Sequence, residues 1–155
     1  MTPSICVLGA GSWGTALAIQ AARNGCRTLL WGHNPEHIRS LSKNKENTRY
    51  LPGLQLPATL AITDNLEEAI KFSPLILISV PSHAFRDTLE KIKPFISDKT
   101  QIAWATKGFN PDDGALLHQV VEHTFSPAIH TAVLSGPTFA KEVATGLPTA
   151  ITIAS

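Results

Sequence analysis

One run constrains this chain more than any other: Val7-Leu8-Gly9-Ala10-Gly11-Ser12-Trp13-Gly14-Thr15-Ala16-Leu17-Ala18. It places G-x-G-x-x-G directly after a short, continuously apolar segment, Ser4–Leu8, and directly before apolar residues at helical spacing, Trp13, Ala16, Leu17 and Ala21. A strand buried on both faces, a glycine turn and a helix form the opening unit of a sheet covered by helices on each side. In such a unit Gly9 permits the tight turn, Gly11 lets the backbone come close to a pyrophosphate, and Gly14 lets the helix pack against the sheet. The amides of Ser12 and Trp13 then lie at a helix N-terminus, where the dipole favours an anion. The strand-before, helix-after context favours a dinucleotide grip. The alternative is a plain structural bend.

The same alternation continues down the chain. The pattern predicts a helix over 12–24, stopped by Asn24-Gly25, and a second strand over 27–31. Asn34 is expected to cap the next helix, with Pro35 in its first turn and Glu36 near its positive end; the polar stretch 43–48 ends it. Tyr50-Leu51-Pro52-Gly53 through Pro57 reads as an extended loop, because two prolines and a glycine oppose regular structure. A strand follows at 61–63, then a small helix over 66–71 capped by Asp64. A buried strand comes at 75–79, and Ser82 is expected to cap a helix reaching about Ile92, closed by Pro94. Later elements are a strand at 101–105, a helix at 116–123 after Asp113-Gly114, a strand at 131–134, a helix at 137–143 and a last strand at 149–153. This order predicts an α/β fold: a doubly wound, mostly parallel sheet in one domain spanning 1–155.

The overall balance removes several classes. Net charge is +1, so neither nucleic acid nor an anionic membrane is an expected partner. No apolar run reaches the roughly 18 residues a membrane span requires, and no signal peptide is evident; the expected location is the cytoplasm. The two cysteines, Cys6 and Cys26, fall in or beside strands and read as small buried hydrophobes in a reducing compartment. No metal site is expected. His33 and His37 are four apart, but Asn34-Pro35 leaves His33 outside the helix. His118, His123 and His130 read as surface or packing residues, and Glu67-Glu68 as a solvated helix face. The glycine turn lacks the Gly-Lys-Ser/Thr of a P-loop, and no G-x-S-x-G elbow is present.

The dinucleotide fingerprint normally places an acid at the end of the second strand, where it binds the adenosine ribose hydroxyls. Here that place holds Gly32-His33-Asn34, with no carboxylate to repel a 2′-phosphate. His33 is placed at the adenosine end, and Arg39 and Lys43 are the cations offered for a phosphate. The expected cofactor is NADP or NAD, with the lean towards NADPH or dual use.

Three further strand ends carry unusual chemistry, and ligands in such sheets bind beyond the strands' carboxyl ends. Val80-Pro81-Ser82-His83 is either an ordinary turn or a wall over the nicotinamide-side ribose. Lys107, in Thr106-Lys107-Gly108, is either a solvated loop lysine or a cation holding a phosphorylated substrate. Ser135-Gly136-Pro137-Thr138-Phe139-Ala140 is either a helix cap or an oxyanion site built from backbone amides and the Thr138 hydroxyl.

Together, Gly9 through Ala16, Trp31-Gly32-His33, Val80 through His83, Ala105 through Gly108, Ser135 through Glu142 and Ala144 through Ala150 resemble the bacterial type of NAD(P)-dependent glycerol-3-phosphate dehydrogenase. The resemblance covers essentially the whole chain. It implies interconversion of dihydroxyacetone phosphate and sn-glycerol 3-phosphate with NAD(P)H, which feeds phospholipid synthesis, by a cytoplasmic and often dimeric enzyme. Carried over residue by residue, it implies cofactor contacts from Ser12, Trp13, His33, Tyr50, Lys107 and Ala140, beside Gly9, Gly11, Gly14 and Pro81. It implies substrate contacts from Lys107, Gly136 and Thr138. Members of this family are about twice as long, with a helical second half that carries the proton-transferring lysine. This chain therefore reads as the cofactor domain, nearly inactive by itself, with an uncovered apolar surface beside its last strand. Two other readings stand beside it: the first domain of a 6-phosphogluconate-dehydrogenase-like or hydroxyacid dehydrogenase, and a stand-alone nucleotide-binding module.

Overall fold

The computed structural model describes residues 2–155. Its strands alternate their apolar side chains between two cores, and that alternation explains why helices cover both faces of the sheet. The elements run β1 (Ser4–Leu8), α1 (Ser12–Arg23), β2 (Arg27–Trp31), α2 (Pro35–Asn44), β3 (Glu46–Asn47), β4 (Leu51–Gln55), β5 (Leu60–Thr63), α3 (Leu66–Phe72), β6 (Leu75–Ile78), α4 (Ser82–Ile92), a 3-10 turn (Lys93–Phe95), β7 (Gln101–Trp104), α5 (Leu117–Thr124), β8 (His130–Ser135), α6 (Ala140–Thr145) and β9 (Thr152–Ala154). The main sheet has seven strands in the order β5-β2-β1-β6-β7-β8-β9. All its pairings are parallel except β8 with β9, which is antiparallel.

On one face Cys6, Leu8, Leu29, Trp31, Ile76, Ile78, Ile102 and Trp104 pack against α3, α4 and α5. On the other, Val7, Leu30, Leu77 and Ala103 pack against α1, α2 and α6. Side chains one residue apart on a strand point to opposite faces, so an unbroken apolar run is what a sheet covered on both sides requires. Chain order reverses between β1 and β6: β1 leads outward to β2 and β5 on one side, and β6 leads to β7 and β8 on the other. The carboxyl ends of β1 and β6 therefore flank the topological switch point, where such sheets bind ligands.

Several local expectations are corrected. The stretch 50–57, expected as a loop, contains β4, which pairs antiparallel with β3 in a separate two-stranded ribbon. Pro52 is exposed on this edge, where a missing amide costs nothing, and the Gly53 amide donates instead to Glu46 Oε1 at 2.8 Å. The cap of α3 is Asn65, whose Oδ1 accepts from the Glu68 amide at 3.1 Å, not Asp64. Ser82 is the first helical residue of α4 rather than its cap; Pro81 holds the cap position without a side-chain bond. The helix expected from Pro137 begins at Ala140, and the strand expected from Thr149 begins at Thr152. A side chain at Gly136 would sit 2.5 Å from the Ala150 carbonyl oxygen, so the two segments lie in close backbone contact just beyond the antiparallel β8–β9 pairing.

Candidate functional site

The glycine turn closes by direct backbone packing. Gly9 has φ +121°, a conformation that side-chain-bearing residues rarely adopt, and its amide donates to the Trp31 carbonyl at 2.9 Å. A Cβ on Gly14 would lie 1.9 Å from the Gly9 carbonyl oxygen, so this position admits only glycine. Gly11 differs: nothing lies within 4 Å of where its Cβ would be. That open space faces the start of α1, which has no side-chain cap and no acid in its first turn. Its first amides are therefore unclaimed by side chains.

In front of this turn lies a cavity of about 820 Å³ at the switch point. It brings together Gly9, Gly11, Ser12, Trp13, His33, Tyr50, Pro81, Lys107, Thr138 and Ala140. These come from five separate strand ends, those of β1, β2, β6, β7 and β8, and from the loop that follows β3. Gly14 stands behind the turn and does not line the cavity. Gly136 lies in a neighbouring cavity of about 410 Å³ with Ser135, Leu116 and His118, and Lys107 borders both spaces. Thr138 precedes α6 rather than opening it, since Phe139 holds the cap position without a side-chain bond.

Three buried polar atoms along the large cavity have no hydrogen-bond partner in the protein: Trp13 Nε1, Ser79 Oγ and Thr138 Oγ1. Unsatisfied buried polar atoms are rare, and all three belong to residues that line this cavity. The open Gly11 and the free α1 amides add an anion cradle. The site thus fits a dinucleotide, with pyrophosphate at the turn and polar groups along its length.

The rest of the wall is firmly braced. Thr106 Oγ1 donates to the Val80 carbonyl at 2.8 Å, tying the end of β7 to that of β6. Lys107 Nζ lies 5.6 Å from the Trp13 ring centroid, a cation–π distance. The loop leading to α5 is stapled by Asp113, which accepts from Asn110 Nδ2 at 2.6 Å, the Ala115 amide at 2.9 Å and Arg86 at 2.7 Å. The Asn110 bond, then the Ala115 bond, hold its carboxyl below the usual carboxylate value.

Sequence reasoning missed one group of residues here. Arg49 and His37 line the cavity; Arg39 and Lys43, offered for a phosphate, do not. His37 meets Tyr50 edge-on at 5.1 Å, and its Nε2 lies 3.1 Å from the Ala10 carbonyl oxygen. Asn47, fully buried, donates through Nδ2 to the Ala10 carbonyl at 3.1 Å and to Thr15 Oγ1 at 2.8 Å, while its Oδ1 accepts from the Tyr50 amide at 3.2 Å. A polar residue two places before the Arg49-Tyr50 pair was the available signal.

A doubly wound sheet with a glycine cradle at its switch point defines a dinucleotide-binding domain of the Rossmann class. Residues 4–155 match the family described as NAD-dependent glycerol-3-phosphate dehydrogenase N-terminus, and the chain belongs to that family. It is 51% identical over 152 residues to an Aeromonas hydrophila protein named as an NAD(P)+ glycerol-3-phosphate dehydrogenase, covering 98% of this chain and 46% of the relative. A Shewanella sediminis protein of the same name is 54% identical over 153 residues, covering 99% and 45%. The crystal structure of a Coxiella burnetii glycerol-3-phosphate dehydrogenase superposes with TM-score 0.92 at 42% identity, over 98% of this chain and 46% of that one. The chain thus spans about half the length of the relatives it matches.

Proposed function

We propose that this chain is the cofactor-binding portion of an oxidoreductase that interconverts dihydroxyacetone phosphate and sn-glycerol 3-phosphate with NAD(P)H. The observation that carries the reading is the cradle itself: an open Gly11 before unclaimed helix amides, with three unpartnered buried donors along one cavity. Ser12 and Trp13 amides hold the pyrophosphate. His33 and Tyr50 border the adenosine half, and Pro81 and Ala140 line the path between. When bound, the nicotinamide supplies hydride to the substrate carbonyl carbon. Lys107, an exposed cation shared by both cavities, binds the anionic substrate, and Gly136 and Thr138 supply polar contacts beside it. The proton goes to the carbonyl oxygen from a lysine in the second half of the family's enzymes, as the resemblance implies.

The ligands are small molecules; the whole enzyme is read as a cytoplasmic homodimer on the same resemblance. No helix among the described residues is long and apolar enough to cross a membrane. Calorimetric titration with NADPH and NADH, beside the Gly11→Asp variant, tests the reading. Micromolar binding that the variant abolishes supports it, because a carboxylate there fills the open space and repels the pyrophosphate. Folded protein that binds neither nucleotide would refute it.

A further inference from the structure

We infer that Arg49 is the specificity-determining residue of the adenosine end, recognising a phosphate on the ribose 2′-oxygen and so favouring NADPH over NADH. The inference rests on the cofactor reading above. The end of β2 offers Gly32-His33-Asn34 where a ribose-binding carboxylate would stand, so nothing there repels a second phosphate. Arg49 is the arginine among the residues lining the cavity. The other long cations of that lining are engaged or distant from this end: Lys91 pairs with Asp87 at 2.7 Å, and Lys107 lies over Trp13 beside the glycine turn. Arg49 forms no ion pair among the described residues.

The guanidinium packs over its neighbour's ring. Its Cζ lies 5.1 Å from the Tyr50 ring centroid, and Tyr50 packs edge-on against His37 at 5.1 Å. Both His37 and the buried Asn47 reach the same carbonyl, that of Ala10 inside the glycine turn, each at 3.1 Å. Asn47 also accepts from the Tyr50 amide. The loop that carries the arginine is therefore tied to the glycine turn. A cation on a loop tied to the glycine turn, lining the same cavity, lies within reach of the adenosine half of a nucleotide whose pyrophosphate is gripped there. A planar guanidinium suits a phosphate better than any other side chain, because it offers paired donors.

The test compares two probes that lack nicotinamide, 2′,5′-ADP and 5′-ADP, by calorimetry on the chain, on Arg49→Ala and on Arg49→Lys. The chain should bind 2′,5′-ADP about 10- to 100-fold more tightly than 5′-ADP. Arg49→Ala should bring the ratio close to one, Arg49→Lys should leave it between, and salt should erode the preference of the parent chain. Both probes binding with a ratio that Arg49→Ala does not change would overturn the inference while leaving the cofactor reading intact. Neither probe binding to folded protein would overturn both.

Discussion

At the residue scale, two glycines three positions apart, Gly11 and Gly14, do opposite work. Gly14 is required by packing, since its Cβ would strike the Gly9 carbonyl oxygen, whereas Gly11 faces open space. Gly14→Ala should therefore destabilise the fold by about 2–4 kcal/mol, as overpacking against backbone does, lowering the melting midpoint by roughly 5–10 °C. Gly11→Ala should cost no more than about 1 kcal/mol, the effect of a poorer helix cap, yet weaken NADPH binding. Thermal melts and titrations of the same two variants separate the roles. Cys6 yields a different prediction. Burial pushes its thiol up from 9.0 to about 12. The folded state keeps the proton in that window while the unfolded chain releases it, so the associated stability is full below pH 9 and is lost as pH rises towards 12. The slope is about 1.4 kcal/mol per pH unit for one proton. Urea midpoints at pH 8 and 10 should fall more in the parent chain than in Cys6→Ala.

At the scale of elements, the β3–β4 ribbon is where local reading fell short. Proline and glycine in 50–57 argued against a strand, and for a central strand that argument holds; a short ribbon outside the main sheet escapes it because its outward amides face water. What ties the ribbon to the glycine turn is Asn47, which bonds Thr15, 32 residues away, and Ala10, 37 residues away. Asn47→Ala should destabilise the chain by about 2–4 kcal/mol by stranding buried polar partners, and should also weaken NADPH binding, since Tyr50 and the turn lose their common anchor. Urea unfolding with and without NADPH measures both effects. Helix α2 illustrates the contrary case: Asn34 and Pro35 announce its start, and the Asn34 side chain does accept from the His37 amide at 3.0 Å. Where a cap is made by neighbours in sequence, sequence suffices; where distant segments approach closely beside the boundary, as Gly136 and Ala150 do before α6, it does not.

At the scale of the whole molecule, the edge beyond β8 is less covered than the rest. Phe139 is 72% exposed, Leu147 55% and Ile153 66%, and β9 ends the sheet with every residue exposed. An apolar edge strand invites association. The chain should self-associate as concentration rises, and Phe139→Ser with Ile153→Lys should shift it towards monomer, as read by light scattering on a sizing column. The expectation of an uncovered apolar surface beside the last strand agrees with these exposures. Sequence alone determined the alternation of strand and helix, the buried strands and the glycine turn at the head of the chain, because apolar periodicity and glycine chemistry act between near neighbours. Only the tertiary structure decided that Arg49, rather than Arg39 or Lys43, reaches the cavity, that Gly136 belongs to a neighbouring space, and that β9 runs antiparallel. Each of these depends on which distant segments pack together, and that is fixed by the shape of the whole core rather than by the residues alongside.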